Sequence, residues 1–173
     1  MNKSLKNQFW IYISLLISII IDIYVLPEAI ISWKPLTTLL VLIYWNMAIP
    51  DKVGVFEALL FGIFLDLLTG SILGLHAILF VLITYICQRF FYQFRVSPLW
   101  QQSFMLFFLF FIFRLAFAFD YNNEVSGFNL SDRGYVSTSL FFALLSSASW
   151  TPLFYILLSL IHISEPTRPS QIS

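Results

Sequence analysis

Four ionisable side chains stand inside runs of the chain that are otherwise apolar: Asp22, Asp66, His76 and Arg114. Carboxylate, imidazole and guanidinium are the groups of proton transfer, ion pairing and anion recognition. In hydrocarbon a charge at a helix centre costs about 2.5–3.5 kcal/mol on insertion scales, against about 0.3–0.6 kcal/mol gained per large apolar residue. Such a residue is expected to face a bundle interior, an aqueous cavity or a partner. Asp66 lies in LDLLTGSILG, Leu65 to Gly74, and three roles are open to it. It could pair with Arg114 or with a group on a partner helix and so fix geometry. It could line a ligand cavity with His76 and Arg114, or simply cap a helix end nearby. Catalysis would need a nucleophile and a base, which one cysteine, Cys87, and one histidine within the apolar chain do not assemble. The single cysteine also excludes an internal disulfide, and no His/Cys/carboxylate set has metal-ligand spacing, so neither metal nor cofactor is expected.

Small residues accompany Asp66. Gly54, Ala58, Gly62, Asp66, Gly70 and Gly74 recur every four positions, and residues four apart share a helical face. Small residues at that spacing let a second helix approach closely. The expectation is a groove with one polar group set in it, into which a partner's transmembrane helix packs. Glu57, nine residues before Asp66, falls on nearly the opposite face. His76 reads as an interfacial histidine.

The elements that must carry these residues follow from composition. Of 173 residues 60% are hydrophobic and 10% charged, where soluble domains carry about 25% charged. A hydrocarbon core of roughly 30 Å takes about 20 apolar residues per helix. The chain therefore has room for five or six spans and no separate domain. Lys plus Arg equals Asp plus Glu, and there is no basic run, so nothing points to nucleic acid. Apolar runs bounded by Pro, Gly and charge predict helices over about 9–26, 36–49, 54–69, 75–94, 100–119 and 135–157. The first is read as a retained helix, longer than a signal peptide's apolar region and lacking a small-x-small cleavage site. The second stops at Pro50, which cannot continue the backbone ladder. The second and third are short for a bilayer, which calls for interfacial backbone, local thinning or re-entry. Trp33 and Trp45, with Tyr44 beside it, are expected as interface anchors. The phenylalanines of the fifth helix read as lipid-facing bulk, and Trp150 with Pro152 marks a kink in the sixth.

With the N-terminus cytoplasmic, inner positions hold Lys3, Lys6, Lys52, Arg89 and Arg95, while outer ones hold only Lys34 and Arg133. This is the positive-inside bias expected for six spans with both ends cytoplasmic, and five spans is the alternative. Pro50, Asp51 and Lys52 make a tight inner turn. Trp100, Gln101 and Gln102 form a polar-aromatic helix start at the same face, either a capped start or a partner site. The segment LSLIHISEPTR, Leu158 to Arg168, reads as translated transposase adapter from sequencing libraries, with PSQIS after it. Residues 158–173 are therefore set aside as non-native, leaving one transmembrane domain over 1–157.

Three stretches then combine. YWNMAIPDKVGV (Tyr44 to Val55), GIFLDLLTGSILG (Gly62 to Gly74) and YQFRVSPLWQQ (Tyr92 to Gln102) resemble, in order and spacing, the rod shape-determining protein MreD family of Gram-negative bacteria. Trp150 and Pro152 resemble that family's last helix, and the likeness covers roughly Phe9 to Leu157. It implies an inner-membrane subunit of the cell-elongation machinery without enzymatic activity. Such a subunit binds the bitopic protein MreC and helps connect MreB filaments to the elongation-specific peptidoglycan synthases. The implied fold is similar to the six-helix substrate-binding components of vitamin transporters, so a small-molecule-binding transport component is the rival reading. Positions carried over are Tyr44, Trp45, Pro50, Gly54, Gly62, Asp66, Gly70, Gly74, Trp100, Gln101 and Gln102. Arg114 lies outside the family pattern, and the short basic tail common in the family is missing.

Overall fold

The structure, a computed structural model, describes residues 3–24, 34–90, 96–117 and 133–164. All of the regular structure among them is helical: α1 Lys3–Ile23, α2 Thr37–Ala48, α3 Val55–Thr69, α4 Leu75–Arg89, α5 Leu99–Ala116, α6 Arg133–Ala148 and α7 Trp150–Ser164. The last two continue each other across Ser149, whose N–H reaches the carbonyl of Leu145 and whose carbonyl accepts from Leu153. Pro152 has no N–H for the carbonyl of Ala148, which puts the break in the helix here. The seven helices therefore form six segments, the expected number. The first helix begins at Lys3 and ends at Ile23, not Leu26, and α4 ends at Arg89, not Phe94. Residues 91–95 and 118–119, and the expected anchor Trp33, lie outside the described residues. The final helix continues to Ser164, into the segment read as adapter.

Helix α2 is the centre. Every residue from Thr38 to Met47 is buried, as suits a helix that is apolar all round. Helices α1, α4 and α7 pack against it. At 12 residues it is about 18 Å long, yet it has no need to match a bilayer because protein surrounds it. Tyr44 and Trp45 are accordingly not interface anchors: each is only 3% exposed. Trp45 Nε1 donates to Ser14 Oγ on α1 at 2.8 Å, and Tyr44 meets Phe154 of α7 edge-on. An indole or phenol goes inside when its polar tip finds a partner there.

Around this centre the other helices turn large apolar side chains outward, among them Phe9, Ile20, Phe56, Leu67, Ile78, Phe104, Ile112 and Ile156. A girdle of that kind marks a surface that meets lipid. Two helical stretches, Leu99–Ala116 and Gly134–Ser159, are by themselves long and apolar enough to cross a membrane. The phenylalanines of α5 divide between the two environments. Phe104 and Phe108 face outward, whereas Phe110 and Phe113, with Phe117 just past the helix, are buried.

Candidate functional site

The polar residues gather at one end of the bundle, where α1, α3 and α5 finish and α2, α4 and α6 begin. Neither α2 nor α4 has a capping side chain at its own N-cap, which is Leu36 in one and Gly74 in the other. A helix start leaves several backbone N–H groups without intrahelical acceptors. In hydrocarbon these are costly, so the acceptors must come from elsewhere in the protein. Each comes from an aspartate at the end of the preceding helix.

Asp66, in the last turn of α3, is 1% exposed and faces the start of α4. Its Oδ1 accepts from the backbone N–H of His76 at 3.0 Å, from His76 Nδ1 at 2.7 Å and from Ser71 Oγ at 2.8 Å. Oδ2 accepts from the backbone N–H of Gly74 at 2.8 Å and, more weakly, Ala77 at 3.4 Å. The ionised carboxylate is an acceptor only, which puts the proton of that contact on Nδ1 of His76. Negative charge against the positive end of α4 adds a favourable dipole interaction. The backbone carbonyl of Asp66 also accepts from Gly70 N–H at 3.0 Å, where Gly70 ends α3 with φ of +69°. Gly74 opens α4 with φ of +97°. Only glycine enters that region without strain, and the two glycines let the chain reverse within reach of one carboxylate.

Asp22, near the end of α1, repeats the device. Its Oδ1 accepts from Thr37 N–H at 2.9 Å and Thr37 Oγ1 at 2.6 Å, and its Oδ2 from Thr38 N–H at 2.7 Å. Lys34 closes the other terminus, its ammonium donating to the carbonyls of Ile21, Asp22 and Tyr24 at the end of α1. Burial lowers the Lys34 pKa below its ordinary 10.5, and neighbouring Asp22 opposes the shift.

Asp66 and Arg114 are thus not an ion pair; the partner of Asp66 is His76 on the adjoining helix. His76 is 7% exposed and packs its ring against Phe117, with centroids 4.5 Å apart. It is an interior residue, not an interfacial one. Arg114 sits across a cavity of about 230 Å³ lined by Asp22, Lys34, Ser71, His76, Phe117 and Phe142, with others. The guanidinium carbon lies 5.4 Å from the Phe142 ring centroid and 5.9 Å from that of Tyr135, whose hydroxyl donates to the carbonyl of Arg114.

The small-residue face of α3 is occupied from within. A Cβ on Gly62 would fall 2.4 Å from Cα of Ala77, so α4 lies against the groove in which a partner helix was expected. Ala58, Gly62, Leu65 and Asp66 are the buried residues of α3. Glu57 turns back to accept from the backbone N–H of Gly54 at 2.8 Å, ordering the start of α3.

At the opposite end, Pro50 follows α2 in a turn where the N–H groups of Lys52 and Val53 both reach the carbonyl of Ile49. Gln102, 4% exposed, links two helices: its Nε2 donates to the carbonyl of Ser97 and its Oε1 accepts from Trp150 Nε1, both at 2.9 Å. Trp100 and Gln101 on the same turn of α5 are exposed. The WQQ triplet therefore splits into an internal clamp and an outward pair.

Sequence reasoning placed Asp22 at this depth but missed its role, and missed those of Lys34 and Ser71. The available signal was the adjacent pair Thr37 and Thr38 at a helix start preceded by leucine, a start with no acceptor of its own. Among the described residues no group of three His, Cys, Asp or Glu side chains could hold a metal.

A family model described as rod shape-determining protein MreD matches residues 3–161. The rod shape-determining protein MreD of Haemophilus influenzae is 35% identical over 113 residues, covering 65% of this chain and 70% of the relative. No solved structure matches the chain. The capped helix ends, the glycine-mediated turn and the membrane-type surface thus sit on a sequence that aligns along nearly its whole length, and the chain belongs to the rod shape-determining protein MreD family.

Proposed function

We propose that the protein is a multi-pass, inner-membrane scaffold of the cell-elongation machinery, with its N-terminus cytoplasmic and no catalytic step of its own. In this role it links cytoplasmic MreB filaments to the peptidoglycan synthases through the bitopic protein MreC. The observation that carries the reading is the family match over residues 3–161. Two features of the bundle support it. Asp66, Asp22 and Lys34 are consumed in tying helix ends together, which suits a rigid platform. Of the resembling positions that remain exposed, Trp100 and Gln101 lie side by side at the start of α5, and Pro50 and Gly70 lie in turns.

The mechanism is helix association on an outer face of the bundle. The glycine face of α3 is filled by α4, so the partner meets another surface, and Trp100 with Gln101 is the proposed contact. An exposed indole beside an amide is well suited to an interfacial helix contact. Depleting the protein in rod-shaped cells is expected to give spheres, and the protein is expected to co-purify with MreC. Trp100→Ala should reduce recovery of that partner at least about tenfold while leaving the bundle folded.

The cavity beside Arg114 favours one rival, a small-molecule-binding component like those of vitamin transporters. Cells that kept their shape on depletion but lost uptake of a vitamin would replace the scaffold with that rival.

A further inference from the structure

Among the described residues, Arg114 is the charged group at the cavity with a side-chain donor that meets no acceptor. Asp22 caps α2, Lys34 gives its ammonium to three carbonyls of α1, and the Nδ1 of His76 is held by Asp66. The Nε of Arg114 is buried and meets no acceptor. Aromatic rings of Tyr135 and Phe142 flank the guanidinium. A buried donor without an acceptor marks the place of a missing partner. For a guanidinium the matching partner is an oxyanion, which takes two parallel N–H bonds from its planar fork.

The setting narrows the class. The cavity lies among helix ends: the end of α3 at Thr69 and Gly70, the end of α5, and the residues just before α2. In a bilayer, helix ends lie at the depth of the headgroup layer. Its wall is mixed, with Leu36, Pro35, Phe113, Phe117 and Phe142 beside the polar groups. About 230 Å³ is below the usual range for whole drug-sized ligands, roughly 300–1,000 Å³. It holds a headgroup-sized moiety and the first carbons joined to it, with the rest of a larger molecule left outside. Lys34 adds a second positive charge on the rim, and Asp22, turned to the N–H groups of Thr37 and Thr38, is already compensated.

We propose that this cavity is a binding site for a phosphate-type oxyanion, clasped by the Arg114 guanidinium, with the apolar wall receiving the adjoining carbon chain of a phospholipid. The site rests on the reading of the bundle as membrane-embedded and is independent of any role in cell shape.

The test uses the full-length protein in detergent, stripped of lipid, and follows binding by native mass spectrometry and by thermal unfolding. The probes are phosphatidylglycerol, diacylglycerol of the same chains, inorganic phosphate and acetate. Phosphatidylglycerol should bind saturably and raise the unfolding temperature, with diacylglycerol at least about tenfold weaker. If inorganic phosphate alone saturates the site, the oxyanion assignment stands and the source is a soluble phosphate. If only the lipid does, the source is the membrane.

Arg114→Gln should weaken the phosphate-bearing probe at least about tenfold. Arg114→Lys keeps the charge but not the fork, and should fall between the two. Should Arg114→Gln fail to fold, Arg114→Lys carries the comparison. Equal binding of diacylglycerol and phosphatidylglycerol, or unchanged affinity in both variants, overturns the proposal. So does binding of acetate in preference to every phosphate probe, which would assign the guanidinium to a carboxylate such as a partner protein's. Loss of rod shape on depletion bears on the scaffold and leaves the site untouched.

Discussion

One carboxylate organises the turn between α3 and α4. Asp66 receives five donors from four residues, and removing it would leave buried N–H groups with no acceptor. Asp66→Ala is expected to cost about 3 kcal/mol or more in a detergent unfolding titration. Asp66→Asn keeps one acceptor oxygen and loses the charge, so it should cost less, about 1.5–3 kcal/mol. Equal and small effects for both would show that the capping bonds contribute little. Because Asp66 lies 1% exposed and is answered from within the chain, these variants should act on partner binding only through stability. A folded Asp66→Asn protein is expected to recover as much MreC as the parent.

Between the helices, close approach and a polar clamp do different work. Gly62 lets α4 come so near that any side chain there would enter its backbone. Gly62→Ala should separate α3 from α4 and destabilise the fold by about 1–3 kcal/mol, the usual cost of overpacking, seen as a lower unfolding temperature. Gly70 and Gly74 differ: a Cβ at either would meet nothing within 4 Å, and their constraint is the positive φ. Substitution there strains the turn and spares the helix contact. The clamp is Gln102 with Trp150, which joins α5 to α7 beside the break at Ser149. Trp150→Phe keeps most of the apolar volume and removes the N–H, so about 0.6–1.7 kcal/mol should be lost, the range for interhelical bonds in membranes. A double variant with Gln102→Leu should lose more than Trp150→Phe alone, since Gln102 Nε2 also donates to the carbonyl of Ser97. The double variant should lose less than the sum of the single variants, because one bond is common to both.

For the whole molecule, the central helix sets the architecture. Alternating helices place the ends of α1, α3 and α5 together with the starts of α2, α4 and α6, so the capping aspartates and Arg114 share one level. In the proposed orientation, with the N-terminus cytoplasmic, that level is the outer side. A topology reporter inserted after Asn123 is expected to read as periplasmic, and cytoplasmic activity there would invert the assignment. The same arrangement leaves Trp100 and Gln101 at the other end, where the variant Trp100→Ala should separate partner binding from folding.

Much of this was legible without coordinates. Apolar runs of near-bilayer length bounded by Pro50, by the glycines at 70 and 74 and by Pro98 predict the helices, because hydrocarbon permits only an internally bonded backbone. Intramembrane charge alone required that Asp66 find company, and the three motifs carried the family likeness. What the sequence left open was which company. Composition gives the cost of burying a carboxylate, but the choice between Arg114, a partner helix and the start of α4 depends on which donors arrive within 3 Å, and that is fixed by the turn at Gly70. Tyr44 and Trp45 went inside for a related reason: the aromatic belt is a tendency of the interface, whereas burial of α2 on every side follows from how three other helices pack around it. Period and hydropathy act along the chain and can be read there. Enclosure, close approach at Gly62 and the unpartnered Nε of Arg114 are relations between helices, decided only once the bundle has closed.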